Sequence, residues 1–477
     1  MVRTRFAPSP TGFMHIGNLR TALYAYLYAK KNKGKFILRI EDTDAERYVE
    51  GAVETIFSTL KKAGIFHDEG PDKGEFGPYI QSQRKDIYIK YAMELVKKGG
   101  AYYCFCDKER LDTLADEKGV KRYDKHCLNL KKAEIEKNLY ENKKFVIRQN
   151  MPTEGESSYV DMVFGKISVP NKELEDNILI KTDGMPTYNF ANVVDDFLMG
   201  ITHVIRGTEY LSSTPKYNLI YDKMGWERPR YMHLPPIMKD EQRKLSKRYG
   251  DANFEDFLQK GYLPEAIVNY IALLGWSPKG NQEKMTMQEL IDAFDLDGIS
   301  KSSSIFDEQK MKWLNSQYIK EMSLNDFHNE AKEYYKKLGI EKEFDTKLIS
   351  ELLHQRTEVF SDIYDSLDFL INFEDFDLAL YEHKRMKTDF KTAKPIIQEA
   401  LTALKDIEFT TQNITEALEK VSLNMDIKKG KVLYSVRVAL TGKKSTPGGA
   451  IEMAELLGKE KSLKRLKKSL EMIERGE

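Results

Sequence analysis

From Val2 to Ala7 apolar and basic residues alternate (Val2, Arg3, Thr4, Arg5, Phe6), the period of a short strand with one face toward a core. Pro8 and Pro10 then forbid further ladder pairing, and Gly12 permits a sharp reversal. From Asn18 the period changes. Leu19, Leu23, Tyr26 and Leu27 recur at helical spacing until Lys33-Gly34-Lys35 ends the run, and Phe36 to Glu41 reads as a second strand. Strand, turn, helix, strand is the seed of a doubly wound parallel sheet, which predicts an α/β fold with Rossmann-like winding.

The middle of the chain mixes short strand-like runs (144–148, 177–182) with turn clusters, which suits an inserted α+β subdomain, and a second α/β stretch follows over 183–247. Beyond Phe254 the periodicity is helical, at 267–274, 307–318, 348–365 and 395–404. Pro395 is expected at a first helical position, where its missing N–H costs nothing. Near the end Leu463, Leu466, Leu470 and Ile473 are spaced three, four and three apart, with seven lysines and arginines interleaved from Lys459 to Arg475.

Length changes the picture: 477 residues exceed one ordinary core, so two to four domains are expected. Charge is balanced, 75 basic against 75 acidic residues, so a nucleic-acid partner must be met by local patches. No run approaches the roughly 18 apolar residues of a membrane span, and the first residues lack a signal-peptide core, which points to the cytoplasm and no membrane partner. Only three cysteines occur, Cys104, Cys106 and Cys127, which excludes a disulfide scaffold and leaves a local metal or thiol site.

Two segments carry candidate chemistry. A helix beginning near Gly17 aims N–H groups and its positive dipole end at the preceding turn, so phosphate is a natural guest there. Gly17 would let a ligand lie against the backbone, and His15 could donate to phosphate oxygens. In KDEQRKLSKRYGD (239–251) five lysines and arginines surround a serine, and ammonium groups at Lys244 and Lys247 could straddle a triphosphate. Either segment alone reads as a satisfied turn or a solvated basic loop.

Together, HIGN (15–18) and KLSKR (244–248) on such a fold resemble the two signature sequences of class I aminoacyl-tRNA synthetases. RFAPSPTGFMHIGNLRTAL, LRIEDTD (38–44), QSQR (81–84), the stretch 183–217 and FDEQKMKWLNSQYI (306–319) narrow the resemblance to the bacterial glutamyl-tRNA synthetases, over nearly the whole chain. One departure stands out, since the last histidine of the first signature is Asn18.

The resemblance implies a glutamate–tRNA ligase that makes glutamyl-adenylate from ATP and passes glutamate to the terminal adenosine of tRNA-Glu, and leaves open whether tRNA-Gln is charged as well. It implies His15, Gly17, Asn18, Glu209, Lys244 and Lys247 at ATP, with His15, Lys244 and Lys247 catalytic. Arg5, Ser9, Glu41, Tyr188, Asn192 and Arg206 are assigned to L-glutamate: arginine forks suit carboxylates and Glu41 suits the ammonium. Mg2+ should accompany ATP. Adenylate formation is expected to depend on bound tRNA.

Structural Zn2+ is expected on Cys104, Cys106 and Cys127. The fourth ligand has alternatives: Tyr123 matches the Cys-x-Cys, Tyr-x3-Cys spacing of some zinc-bearing relatives, and His126 is the better donor but adjoins Cys127. The histidine that other relatives carry two residues on is Asn129 here. The expected division is a catalytic first half over 1–80, an acceptor-binding insertion over 81–187 and a catalytic second half over 188–251. A stem-contact domain over 252–322 and an all-helical anticodon-binding region over 323–477 follow, in a monomer. Arg356 is a candidate anticodon contact, and the basic run from Lys461 to Lys468 a candidate phosphate face.

Truncated relatives that transfer glutamate to a modified tRNA base lack the helical half, and glutaminyl-tRNA synthetases carry a β-barrel in its place. An inactive tRNA-binding module would have lost His15 or Lys247, and both are present.

Overall fold

The computed structural model describes residues 1–44, 49–114, 122–246 and 252–476. The chain divides into two compact units, Met1–Gln259 with Pro264–Glu308, and Lys260–Leu263 with Gln309–Glu477. Residues 264–308, expected in a separate connecting domain, therefore pack with the first unit.

The strands of the first unit that frame the site and its insertion are β1 (Arg3–Phe6), β2 (Lys35–Leu38), β3 (Ala101–Cys104), β4 (Val146–Gln149), β5 (Glu156–Asp161), β6 (Gly165–Pro170), β7 (Ile178–Ile180), β8 (His203–Gly207) and β9 (Arg230–Leu234). β1 and β2 pair in parallel, with Arg5 opposite Ile37. On its other side β1 abuts β8, where Thr202 N donates to Arg3 O at 2.9 Å. β8 and β9 are parallel, with Arg206 opposite His233, and β9 meets β5 in parallel at Tyr231 and Asp161. The hairpin β5–β6 closes that edge, and β3, β4 and β7 form a separate antiparallel sheet in the insertion. The carboxyl ends of β1, β2 and β8 thus come together where the winding reverses, the place where open α/β sheets take their ligands.

The helix α1 (Ile16–Lys31) packs over β1, burying Leu19, Ala22, Leu23 and Leu27 completely. Its buried polar side chains hold the segment 264–308 against it. Tyr24 Oη donates to Ala272 O at 2.9 Å, and Arg20 donates to Leu274 O at 2.8 Å and to Pro235 O.

Beneath the strand ends lies a buried ionic cluster of three guanidiniums and three carboxylates. Arg5 Nε donates to Asp196 at 3.1 Å, and Arg39 donates to Asp196 at 2.8 Å and Glu41 at 3.1 Å. Asp195 accepts from Arg84 at 2.7 Å, Tyr88 at 2.8 Å and Gln81 at 2.9 Å. Arg39 and Asp195 are fully inaccessible to solvent. Such charges persist in a core because each is paired and hydrogen-bonded. The cluster ties β1, the strand end at Glu41, the QSQR turn and the helix Tyr188–Leu198 into one frame.

The second unit is helical around its own apolar core, with Phe327, Ile363, Leu367, Ile397, Leu418, Val438 and Leu466 at its centre. Two helices differ from expectation. The run 348–365 is split into Thr346–Leu353 and Asp362–Ile371, and in the turn between them Thr357 Oγ1 donates to Leu353 O while Asp362 Oδ2 accepts from Val359 N. The helix expected to start at Pro395 begins at Phe390, where Asp389 and Thr392 make a reciprocal capping box. Pro395 then lies inside it, early enough to interrupt only the first turns. Gly458, at φ 73° and ψ 171°, breaks the terminal helix Ala450–Gly476. Among the described residues no helix is long and apolar enough to cross a membrane.

Asp195→Ala leaves Arg84 facing an empty socket and Arg39 with less counter-charge. Removing one partner from a buried ionic cluster should cost about 3–5 kcal/mol. Urea unfolding monitored by tyrosine and tryptophan emission measures it, and a loss below about 1 kcal/mol would show that the cluster contributes little.

Candidate active site

A cavity of about 570 Å³ opens at the strand ends, lined by both signature segments and by the acidic-substrate candidates. His15, Gly17 and Asn18 form one part of its wall, Lys244 and Glu209 another, and Arg5, Ser9, Glu41, Tyr188 and Arg206 a third. The segments flanking the basic loop are held in place. Ile16 N donates to Ala252 O at 2.8 Å, His15 bridges Asn253, and Lys244 bridges Met238. Lys247 lies outside the described residues.

The start of α1 works differently from the expectation. His15 caps the helix with its own ring, Nδ1 accepting from Gly17 N at 3.0 Å. The amides of Asn18 and Leu19 both donate to His15 O, at 2.9 and 3.0 Å, so the first helical N–H groups are already satisfied. With Nδ1 accepting, the neutral ring carries its proton on Nε2, which makes that atom the donor. Gly17 lines the cavity and also makes room for the capping ring, since a Cβ there would meet His15 Nδ1 at 3.1 Å.

The glutamate candidates separate into two charge environments. Arg5 is buried and contacts Asp196 directly, with Nη1 also donating to Ile205 O at 3.3 Å. Glu41 is buried beside Arg39, and burial raises its carboxyl above the ordinary range while Arg39 and Arg5 oppose that shift. Arg206 contacts no carboxylate among the described residues. Its Nε donates to His233 Nε2 at 3.2 Å and its Nη2 to Thr214 Oγ1 at 2.6 Å. The rings of Tyr210, Tyr217 and Tyr231 surround its guanidinium, at 4.9, 4.9 and 5.4 Å.

Tyr188 stands over the cavity against Tyr210 and Tyr217, and burial raises its phenol far above the ordinary value, so it remains a neutral hydroxyl. Asn192 does not line the cavity. It is buried one helical turn below, its amide donating to Tyr188 O. Arg39, Asp195, Asp196, Asp161, Thr214 and His233 support the site without having been singled out from sequence. The available signal was charge in apolar runs: Arg39 between Leu38 and Ile40, and two aspartates inside the buried stretch 190–196.

In the insertion the sulfurs of Cys104, Cys106 and Cys127 lie within 4.8 Å of one another. Tyr123 Oη is 3.3 Å from Cys104 Sγ and 3.5 Å from Cys106 Sγ. His126 is exposed and outside the sulfur cluster, as is Asn129. The Cys104 thiol is pulled well down by the hydrogen bond from Cys127 first and then by Tyr123 and Arg148. Three sulfur donors beside one oxygen donor fit the tetrahedral preference of zinc.

In the second unit Arg356 is exposed beyond the helix Thr346–Leu353. The basic run of the last helix is largely engaged. Arg465 is buried, donating to Leu440 O and Leu370 O, while Lys461 pairs with Glu343 and Lys468 with Asp375.

The family model for the catalytic domain of class I tRNA synthetases (E and Q) matches residues 1–313, and an anticodon binding domain model matches 308–470. A glutamate--tRNA ligase of Clostridium botulinum is 56% identical over 480 residues, covering 99% of each chain. One from Clostridium tetani is 55% identical, covering 99% of this chain and 98% of its own. Crystal structures agree. A glutamate tRNA ligase from Elizabethkingia meningosepticum in complex with its amino acid has a TM-score of 0.88 at 36% identity, covering 98% of this chain and 99% of its own. A glutamate-tRNA synthetase from Elizabethkingia anophelis gives 0.89 at 37%, with the same coverage. Matched in its catalytic and anticodon-binding parts and along nearly its full length, the chain belongs to the glutamate--tRNA ligase family of class I aminoacyl-tRNA synthetases.

Proposed function

We propose that the cavity activates L-glutamate with ATP and transfers it to tRNA-Glu. The observation that carries this reading is the pair of buried guanidiniums, Arg5 and Arg206, on the wall shared with the two signature segments. A substrate with two carboxylates and an ammonium meets two arginine forks and the carboxylate of Glu41. Ser9 and Tyr188 supply neutral hydroxyls around it.

In the first step an oxygen of the α-carboxylate attacks the α-phosphorus of ATP, the bond to the β-phosphate oxygen breaks, and pyrophosphate leaves. His15 Nε2–H donates to a phosphate oxygen as charge redistributes, Asn18 adds an amide donor, and Lys244 with Lys247 neutralises the departing pyrophosphate. Mg2+ enters with ATP, where Glu209 offers the oxygen donor such an ion takes, and would screen phosphate charge. In the second step a ribose hydroxyl of the terminal adenosine attacks the acyl carbon, AMP leaves, and the hydroxyl proton goes to its phosphate or to water. No covalent enzyme intermediate is needed, so positioning and electrostatics carry the rate.

The insertion over 81–187 would meet the acceptor end, 252–322 the stem, and 323–477 the anticodon, with Arg356 among its contacts. Zn2+ would be held by Cys104, Cys106, Cys127 and Tyr123, supplying a rigid cross-link in the insertion. We take the protein to work as a cytoplasmic monomer, and aminoacylating tRNA-Glu and tRNA-Gln separately decides whether the second is also charged.

Exchange of labelled pyrophosphate into ATP, with glutamate and with or without tRNA-Glu, tests the reading. Exchange is expected only with tRNA present. His15→Ala should then lower kcat about 10²–10³-fold, the loss typical of one transition-state donor. Exchange that is independent of glutamate, or unchanged in His15→Ala, would refute the assignment.

The metal is tested by mass spectrometry of the purified chain. One zinc per chain is expected, lost in Cys127→Ser together with a fall in thermal stability, and a metal-free wild-type chain would remove zinc from the account.

A further inference from the structure

Arg206 owes its orientation to a group that sequence reading did not single out. His233 is fully buried on β9, directly opposite Arg206 in the parallel ladder with β8. Behind it stands Asp161 at the end of β5, Oδ2 lying 2.7 Å from His233 Nδ1 and 3.2 Å from the His233 backbone N. The other oxygen, Oδ1, accepts from Val163 N and Phe164 N, both at 2.9 Å. Three backbone N–H groups converge on one carboxylate and fix both of its oxygens as acceptors.

The proton on the ring follows by elimination. Arg206 Nε is a donor only, so His233 Nε2, 3.2 Å away, must present its lone pair. The proton therefore sits on Nδ1 and points at Asp161, giving one neutral tautomer locked from both sides. Burial, with Arg206 adding to it, lowers the tendency of His233 to take a second proton, while Asp161 opposes that shift. Thr214 completes the seat: its hydroxyl donates to Tyr210 O at 2.8 Å and so offers lone pairs to Arg206 Nη2.

We propose that His233, oriented by Asp161, is a positioning residue that seats Arg206 through a neutral lone pair and leaves its positive charge for a substrate carboxylate. The proposal rests on reading the cavity as a glutamate pocket. A carboxylate in place of the imidazole would have gripped Arg206 as firmly but neutralised it, as Asp196 partly neutralises Arg5. With Nε and Nη2 both engaged, the guanidinium presents to the ligand its edge at Nη1, on which no hydrogen bond from the described residues falls.

Three variants of the full chain separate this from a packing role. Asp161→Asn must turn its oxygen toward Val163 and Phe164, so its NH2 faces His233. The ring then shifts its proton to Nε2, donor against donor with Arg206. His233→Asn retains a donor at the Nδ1 position but nothing at Nε2, whereas His233→Gln restores an acceptor there.

The expected result is a KM for glutamate raised about tenfold or more in Asp161→Asn and His233→Asn, with the KM for ATP within about twofold of wild type and His233→Gln within about threefold. In 15N-histidine spectra, assigned by loss of the signal in His233→Gln, the wild-type ring should be the Nδ1-protonated tautomer and Asp161→Asn the Nε2-protonated one. An unchanged glutamate KM in both first variants, equal rises in both KM values in all three, or an Nε2-protonated wild-type ring would overturn the proposal. A wild-type chain inactive with glutamate contradicts the proposed function instead, and the tautomer measurement is read independently of it.

Discussion

A buried arginine with no carboxylate in contact among the described residues is the constraint on which the site depends. Taking a guanidinium out of water is expensive, and a protein usually offsets this with a directly paired acid. Arg206 is offset by an imidazole, a threonine hydroxyl and three tyrosine faces, with Asp161 behind the imidazole and Asp196 acting on it only at a distance. Cation–π contacts and neutral hydrogen bonds hold such a cation without cancelling it. The cavity therefore carries a standing demand for an anion, which glutamate meets and its amide does not. Discrimination of this kind comes from the penalty of leaving the buried charge unanswered.

The frame around Arg206 makes that arrangement possible. Arg5, Arg39 and Arg84 are matched by Glu41, Asp195 and Asp196, which balances the frame as a whole while Arg5 and Glu41 still face the cavity. Because the same cluster joins β1 to the helix Tyr188–Leu198 and to the turn at Gln81, it fixes the two halves of the sheet at the seam where the strand ends meet. Binding energy can then go into orienting the reacting carboxylate beside His15 and Lys244 rather than into assembling the pocket.

Much of this was legible in the residues. The strand–turn–helix–strand opening, the convergence of HIGN with the segment around Lys244 and the cysteine trio all follow from local pattern and ordered motifs. Three matters were not. The role of the α1 amides depended on His15 folding back as its own cap, a side-chain choice that spacing does not encode. The split of 348–365 and the early start before Pro395 reflect side-chain to backbone bonds at Thr357 and Asp362 and capping by Asp389, which compete with an otherwise helical period. Asp161 and His233 lie 72 residues apart and meet only through the sheet, so no local pattern joins them.

The most direct test of the uncancelled charge is a comparison of glutamate with glutamine, its neutral isostere, as the amino acid activated by the wild-type chain with saturating ATP and tRNA-Glu. A site built around an unpaired guanidinium should favour glutamate in kcat/KM by about 10⁴-fold or more. A preference below about 10²-fold would mean that the charge on Arg206 is already answered within the protein, and would contradict the account.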